Sequence, residues 1–230
     1  MLSALPLVTG HLNSLGVVTI RDRLHRGLAR QLGSPSGLAG VYFARRLNRN
    51  NPDDGPAAAA EAGRVAARDR AADIGFGGGL GLTELLRRVS PGGHVIGIDP
   101  SPTVLRRARR VFRRELAQGS LTVVHGSASD LPLPTDSLDV VLTVNTIYFM
   151  PDLAPPFAEL ARVVRPRGRV VVCAGDPTEM AKVPATAYGF VLRPMSEVCA
   201  ALTAAGFTAV EQHEGGEGSE AFHVLTAHVP

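Results

Sequence analysis

The amino-acid sequence predicts an α/β fold: a doubly wound, mostly parallel sheet with helices on both faces. Short apolar runs alternate with longer stretches of helical periodicity from about residue 71 onward, and glycines cluster directly after the first of these runs. Parallel strands must be joined by crossover connections, which are usually helices. The alternation therefore predicts crossover units whose helices cover both faces of the sheet.

Composition favours a single cytoplasmic domain with decorations. The chain has 230 residues, 45% of them hydrophobic, which is enough for one substantial core. The two cysteines, Cys173 and Cys199, have no metal-ligand or disulfide-framework spacing, so we expect neither a metal site nor a disulfide. The first twenty residues lack a basic segment ahead of an apolar one, so we expect neither a signal peptide nor a membrane span.

The predicted elements follow one another with short connections. An alanine-rich helix begins at Pro56 and continues to Arg68, because helix formers fill this stretch and proline is favoured at a first helical position. Strands are expected at 71–74, 95–98, 121–124, 138–144 and 170–173, and near Val210 and Val224. Further helices are expected at 80–89, 104–116, 153–164 and 195–205.

The chain divides at a cluster of turn-forming residues, 51–56, whose sequence is NPDDGP. Residues 1–55 are expected to form a helical cap or lid, and residues 56–230 the binding domain.

A glycine-rich segment follows the first predicted strand and opens the next helix. It contains Asp73, Gly75, Phe76, Gly77 and Gly79. Glycines allow positive φ and the close approach of a ligand, and a helix N-terminus offers unpaired N–H groups. The third glycine of a dinucleotide fingerprint is missing in every register, and the segment has no P-loop lysine. The preceding acid suits a positively charged amino acid moiety instead.

Three more loops follow strand ends, where ligands of open α/β sheets bind. Asp99 precedes Pro100, and its carboxylate is expected to accept hydrogen bonds from ribose hydroxyls; helix capping is the alternative. Ser127 and Ala128 belong to the third loop. The fourth holds Asn145 and Tyr148, which are expected to face the reacting end of a ligand; packing is the alternative for Tyr148.

Together these loops resemble the class I S-adenosylmethionine-dependent methyltransferases, in their small-molecule branch with a seven-stranded sheet. The resemblance covers roughly residues 56–210. It implies that 73–79 form the glycine-rich motif, that Asp99 binds the ribose, and that 126–132 form the adenine loop. Ser127 departs from the aspartate common there, so the contact to the adenine amino group is expected to be neutral and weaker, or to come from Asp130 or a water.

Other patterns in the sequence carry weaker functional signals. The six arginines of 104–116 are expected to form a solvated face, because no aromatic residues interleave with them as in a nucleic-acid groove. Asn145 and Tyr148 share the spacing of the Asn-Pro-Pro-Tyr motif of amine methyltransferases, but both prolines are replaced. His94 is expected at the surface and His125 in packing, and Tyr148 is a candidate to orient or deprotonate a substrate.

The function expected from the resemblance is methyl transfer from S-adenosylmethionine to a small, largely apolar organic acceptor. A non-catalytic S-adenosylmethionine-binding module is the alternative, and a nicotinamide oxidoreductase is a more distant one. Residues 1–50 and 175–193 are expected to fold over the strand ends as an apolar enclosure. We expect no nucleic-acid or membrane partner, because phosphates would call for an open basic groove. The apolar residues expected in the enclosure are Leu38, Val41, Tyr42, Phe43, Met180, Val183, Pro184, Tyr188, Phe190 and Val191.

Overall fold

The computed structural model describes residues 54–230, which form one seven-stranded sheet with helices on both faces. The strands are β1 (Arg70–Ile74), β2 (His94–Asp99), β3 (Leu121–His125), β4 (Leu138–Val144), β5 (Val164–Gly175), β6 (Thr208–Gly215) and β7 (Phe222–His228). The helices are α1 (Asp54–Ala62), α2 (Leu80–Val89), α3 (Pro102–Val111), α4 (Arg113–Ala117), α5 (Ala154–Val163), α6 (Pro177–Ala181) and α7 (Met195–Ala204). The predicted fold class and strand number are confirmed.

The strand order places a switch point in the middle of the sheet. The order is β3-β2-β1-β4-β5-β7-β6; β1 to β5 pair in parallel, and β7 runs antiparallel between β5 and β6. The chain winds outward from β1 to β3 and then returns to pair β4 with β1. Ligands of such sheets bind beyond the carboxyl ends of the strands on either side of this reversal. That position lies beyond Ile74 and Val144.

Two apolar cores, one on each face, hold the helices on the sheet. Neighbouring residues of a strand point to opposite faces, so Ala71 belongs to one core and Ala72 to the other. Helices α5 and α7 supply Phe157 and Leu202 to the same core as Ala72. Helices α1 to α3 pack on the other face, where Leu85 is fully buried. The doubly wound arrangement follows from this two-sided burial.

Helix α1 ends earlier than the predicted Arg68. It spans Asp54–Ala62, and Gly63 then leaves the helix because its backbone packs against the sheet: a Cβ there would lie 2.8 Å from Val171 Cγ2. Arg64 and Arg68 both have positive φ in the loop that follows. The tertiary contact at Gly63 overrides the helix propensity of the stretch beyond it.

The helix predicted over 104–116 is broken into α3 and α4 at Phe112. Phe112 leaves helical geometry with φ −98° and ψ 35°, and its ring is buried beneath the glycine-rich segment. A Cβ at Gly79 would lie 3.0 Å from Phe112 Cε2. Val111, the last residue of α3, is 56% exposed despite its apolar side chain. The break lets an aromatic ring support the loop that opens α2.

Two further features complete the fold. Strand β5 begins at Val164, ahead of the strand predicted at 170–173, and Arg167 takes a positive φ within it. Within residues 54–230, no helix combines the length and the apolar character that crossing a membrane requires.

Candidate functional site

A cavity of about 570 Å³ opens at the switch point. It lies beyond the ends of β1, β2 and β4 and extends under the segment that follows β5. The eleven residues predicted to form the site come from four separate loops, and the structure brings all of them to this cavity: Asp73, Gly75, Phe76, Gly77, Gly79, Asp99, Pro100, Ser127, Ala128, Asn145 and Tyr148. The loops converge because the parallel strands end at the same edge of the sheet.

The glycine-rich segment needs its glycines for two different reasons. Gly75, Gly77 and Gly79 have φ of 75°, 46° and 88°, values that side chains rarely adopt. A Cβ at Gly75 would lie 2.6 Å from Thr146 Cγ2, so that position is closed by the protein itself. A Cβ at Gly77 would meet only the Gly75 carbonyl oxygen, at 3.8 Å, and would otherwise point into open space. Gly77 therefore keeps room for a ligand beside the backbone.

Asp73 is a buried acid at the inner end of the cavity. It is 3% exposed, and no hydrogen bond from the described residues reaches its carboxylate. Gly81 makes room for it, since a Cβ there would lie 2.2 Å from Asp73 Oδ2. Burial, and then the nearby charge of Asp99, raise the pKa of Asp73 to about 7. An acid in this state favours a cationic ligand, which would restore its ionised form.

Asp99 is held in place by backbone N–H groups. Its Oδ2 accepts a hydrogen bond from the Gly77 N–H at 3.0 Å, and its Oδ1 accepts one from the Ser101 N–H at 2.8 Å. Burial raises the pKa of Asp99, and these two bonds oppose the rise. The N-cap of α3 is Ser101, which accepts from the Val104 N–H. The capping alternative for Asp99 is therefore wrong, and its carboxylate is oriented toward the cavity.

The third loop forms the side of the cavity next to β2. Gly126 allows the close approach of the loop to β2, because a Cβ there would lie 2.7 Å from Pro132 Cδ and 3.1 Å from Ile98 Cγ2. Ser127 and Ser129 line the cavity, and the Ser129 N–H donates to Ser127 Oγ. Asp130, one expected source of an adenine contact, is not among the lining residues. Ser129 was not predicted.

Asn145, Tyr148 and Gly175 form a hydrogen-bonded cluster between the ends of β4 and β5. Asn145 Oδ1 accepts from the Tyr148 hydroxyl at 3.2 Å and from the Gly175 N–H at 3.3 Å. The Gly175 N–H also donates to the Tyr148 oxygen. Burial raises the pKa of Tyr148 above its usual range, and the hydrogen bond from Gly175 only partly opposes this. Tyr148 is therefore neutral at physiological pH, which argues against the suggestion that it deprotonates a substrate.

An aromatic wall lies beside this cluster. Phe190, in the segment after β5, has its ring centroid 4.7 Å from that of Phe149 and 5.8 Å from that of Tyr148. The wall, Tyr148, Phe149 and Phe190, lines the cavity together with Met150 and Met180.

The segment 175–193 covers the cavity as predicted, but only part of its expected lining reaches it. Met180, Val183 and Phe190 line the cavity, whereas the expectation that Pro184, Tyr188 and Val191 do so is wrong. Arg193 fixes the end of the segment, because its guanidinium is buried and donates to the Met150 and Pro151 carbonyl oxygens, both at 2.7 Å. The enclosure expected from Leu38, Val41, Tyr42 and Phe43 lies outside the described residues.

Two contributions to the cavity were not anticipated. The turn between β6 and β7 supplies lining residues 219–222, and the start of α1 supplies Gly55 and Pro56. Glycines at 215, 216 and 218 mark the turn in the sequence, and Gly216 has φ 68°. They indicate a tight turn, but not that antiparallel pairing of β7 with β5 carries it to the cavity.

The remaining candidates are not among the residues that line the cavity. His94 stands at the start of β2 beside the Gly119 carbonyl and the Thr122 hydroxyl. The expectation that His125 is packed is wrong, because its side chain is exposed; its ring lies 3.0 Å from the Pro100 carbonyl oxygen. Five of the six arginines of 104–116 are exposed, as expected. Arg107 differs, because it donates to the Gly78 carbonyl oxygen at 2.6 Å and so braces the glycine-rich segment.

The fold and the cavity define a class of protein: a Rossmann-like domain whose glycine-rich segment follows β1 and whose acid ends β2. Residues 72–172 match a family described as methyltransferase domain. Among solved structures, an S-adenosylmethionine-dependent methyltransferase from Aquifex aeolicus has the same fold, with a TM-score of 0.67 over 81% of this chain and 98% of that chain at 19% identity. The match over residues 72–172 and the shared fold support a class I S-adenosylmethionine-dependent methyltransferase domain, whose cofactor is S-adenosylmethionine.

Two curated relatives match parts of the chain. An arsenite methyltransferase of Halobacterium salinarum is 30% identical over 155 residues, which are 64% of this chain and 39% of the relative. A demethylmenaquinone methyltransferase of Oceanobacillus iheyensis is 35% identical over 107 residues, which are 46% of this chain and 44% of the relative. The chain thus spans less than half the length of each.

Proposed function

We propose that this protein transfers the methyl group of S-adenosylmethionine to a small, largely apolar organic acceptor. One observation carries the proposal: a single cavity joins the buried acids Asp73 and Asp99 to the aromatic wall. The two ends have opposite character, one suited to a polar cation and the other to an apolar body.

The polar end fits the cofactor. Asp73, which lacks a hydrogen-bond donor among the described residues, suits the ammonium group of the methionine moiety. Asp99 keeps lone pairs for the two ribose hydroxyls after accepting its two backbone bonds. Gly77 leaves open space along the backbone, and Ser127, Ala128 and Ser129 would border the adenine. The bound cofactor supplies a methyl group on a sulfonium, which is already activated for displacement by a nucleophile.

The protein's contribution is to position the acceptor. Holding two reactants in line contributes about 7 to 11 kcal/mol to lowering a barrier, so a dedicated general base is optional. Asn145 and Tyr148 lock each other and the end of β5 through their shared hydrogen bonds. In this proposal Tyr148 orients the acceptor as a neutral hydrogen-bonding group, since its raised pKa opposes ionisation.

The apolar end favours a compact acceptor over a nucleic acid. Tyr148, Phe149 and Phe190 line it, and no lysine or arginine is among the lining residues in 54–230. A polyanion would need such cations along an open groove. The named relatives act on arsenite and on a demethylmenaquinone, and neither is a polymer. A neutral phenol or hydroquinone is the acceptor class that fits this end best.

The test is methyl transfer with the purified chain. Cofactor binding is measured by calorimetry, and transfer of tritium from methyl-labelled S-adenosylmethionine is measured against a panel of hydroquinones, phenols and apolar amines, with RNA and DNA as polyanionic comparisons. We expect binding and label transfer to at least one small apolar compound. Binding without transfer to any compound would favour the non-catalytic module, and faster transfer to RNA or DNA would refute the acceptor class.

A further inference from the structure

We propose that Asp176 and His223 form a latch that fixes helix α6 to the turn at residues 219–222, two elements that line the cavity. In this proposal both are positioning residues. The inference deepens the proposed function and rests on it for the identity of the acceptor end. Neither residue belongs to the four loops that resemble the family's binding motifs.

The latch joins two elements that are distant in the chain. His223 Nε2 lies 2.9 Å from Asp176 Oδ2, and the Asp176 N–H donates to the Ala221 carbonyl oxygen at 2.8 Å. Asp176 is also the N-cap of α6, because its Oδ1 accepts from the Thr178 and Glu179 N–H groups, both at 2.9 Å. One carboxylate thus caps the helix with one oxygen and binds the histidine with the other.

His223 is placed to hold rather than to react. Its ring is buried on β7 between β5 and β6, and it is not among the residues that line the cavity. Nε2 donates to Asp176, whose pKa this bond holds below its usual range. Nδ1 lies 3.3 Å from the Gln212 side-chain nitrogen and 3.6 Å from Glu214 Oε1. Both ring nitrogens of His223 therefore lie against protein side chains, away from the cavity.

The two elements that the latch joins, α6 and the turn at residues 219–222, both line the cavity. Helix α6 carries Met180, and the turn next to His223 carries lining residues 219–222. Met180 Sδ would lie 3.1 Å from a Cβ at Gly175, so a shift of α6 would change the space beside Tyr148. Loss of the latch should therefore loosen the acceptor end while the cofactor end, built on β1 and β2, stays intact.

The test separates the latch from the helix cap. Asp176→Ser keeps a capping oxygen but is too short to reach His223, and His223→Leu removes the latch from the other side. His223→Gln retains a donor toward Asp176, so it should keep the 1-naphthol affinity and the amide exchange in α6 close to those of the unsubstituted protein. His94→Gln is the matched control, because His94 makes two similar contacts at the opposite end of the sheet.

The readouts are made on the full chain saturated with S-adenosylhomocysteine, with 1-naphthol as a neutral probe of the acceptor end. For Asp176→Ser and His223→Leu we expect 1-naphthol binding to weaken about tenfold and amide exchange in α6 to accelerate about tenfold. S-Adenosylhomocysteine affinity should stay within about twofold, as should every value for His94→Gln.

If amide exchange in α6 is unchanged in Asp176→Ser, the latch proposal is wrong, whether or not 1-naphthol binds. If amide exchange in β1 and β2 accelerates as much as in α6, the proposal is also wrong, because the substitution then destabilises the whole fold. Neither readout requires methyl transfer. Failure to find any methyl acceptor would therefore refute the proposed function without bearing on whether the latch exists.

Discussion

Asp73 and Asp99 differ in how their carboxylates are satisfied. Asp99 accepts two backbone hydrogen bonds, whereas Asp73 accepts none from the described residues and has its pKa raised to about 7. A buried acid without donors favours its neutral form. Because its pKa is raised in the folded protein, Asp73 stabilises the fold most below its ordinary pKa, and this contribution is lost as pH rises through about 7. A bound cation would reverse the preference.

This difference predicts a pH-dependent affinity for S-adenosylmethionine. If only ionised Asp73 binds the cofactor well, affinity should fall about tenfold for each pH unit below 7 and level off above it. Calorimetry between pH 5 and pH 8 measures this slope. In Asp73→Asn the affinity should be lower at pH 8 and nearly independent of pH. An equal slope in both proteins would show that another group controls the titration.

Asp99 allows a second prediction. Asp99→Ala should weaken S-adenosylmethionine binding about 10- to 100-fold, because a charged acceptor for two hydroxyls is lost. Calorimetry at pH 8 is the measurement, and Asp130→Ala is the matched control, since Asp130 lies one loop away but does not line the cavity. Unchanged affinity in Asp99→Ala would remove the ribose assignment.

At the residue scale, the sequence is informative where a polar residue lies at the carboxyl end of a predicted strand or directly after it. Asp73, Asp99 and Asn145 are identifiable in that way, and they line one cavity. The protonation behaviour of Tyr148 is not predictable, because burial and the Gly175 contact come from packing between strands. Ser129 escapes prediction since a serine two residues after another serine carries no distinctive signal.

At the scale of the elements, the glycine-rich segment and the residues that contact it form the cofactor end of the cavity. Asp99 binds the Gly77 N–H, Arg107 binds the Gly78 carbonyl, and Phe112 packs against Gly79. The segment is therefore held from β2 and α3 while Gly77 faces open space. Such bracing preorganises a loop for its ligand and reduces the entropy lost on binding.

Gly77→Val tests this segment. The new side chain would point into the cavity, so we expect cofactor binding to weaken at least about 100-fold, as measured by calorimetry. Gly119→Val is the matched control, because Gly119 also has positive φ, 71°, but nothing lies within 4 Å of its Cβ position. Both variants should lose about 1–3 kcal/mol of unfolding free energy. Equal cofactor affinity in the two would show that the segment is not the site.

Helices and strands are predicted well where apolar periodicity is strong, and less well at their ends. All seven strands lie where the apolar runs indicate. The end of α1 at Ala62 and the break at Phe112 depend on contacts with Val171 and Gly79, which are far away in the sequence. The turn of 219–222 reaches the cavity only because β7 pairs with β5. Local propensity contains none of these contacts.

At the scale of the whole molecule, all seven strands and all eleven predicted site residues lie within residues 70–228. The two apolar cores are built from the same range, with Ala59, Ala60 and Val65 added to one of them. The division at residue 55 remains a prediction, as does the role of 1–50 in covering the acceptor. We therefore expect the domain from residue 56 onward to bind the cofactor by itself, and residues 1–50 to be needed for turnover.

Deleting residues 1–40 tests that separation. Because all seven strands of the sheet come from the described residues 54–230, the truncated chain should fold and bind S-adenosylmethionine within about threefold of the full chain. Turnover of any acceptor found in the panel should fall at least about 100-fold, since an acceptor without its enclosure is neither oriented nor shielded from water. Calorimetry and label transfer measure the two effects, and circular dichroism checks the fold. If the truncated chain transfers methyl groups as fast as the full chain, the enclosure is refuted. If the truncated chain is folded but no longer binds the cofactor, residues 1–40 contribute to the cofactor end instead.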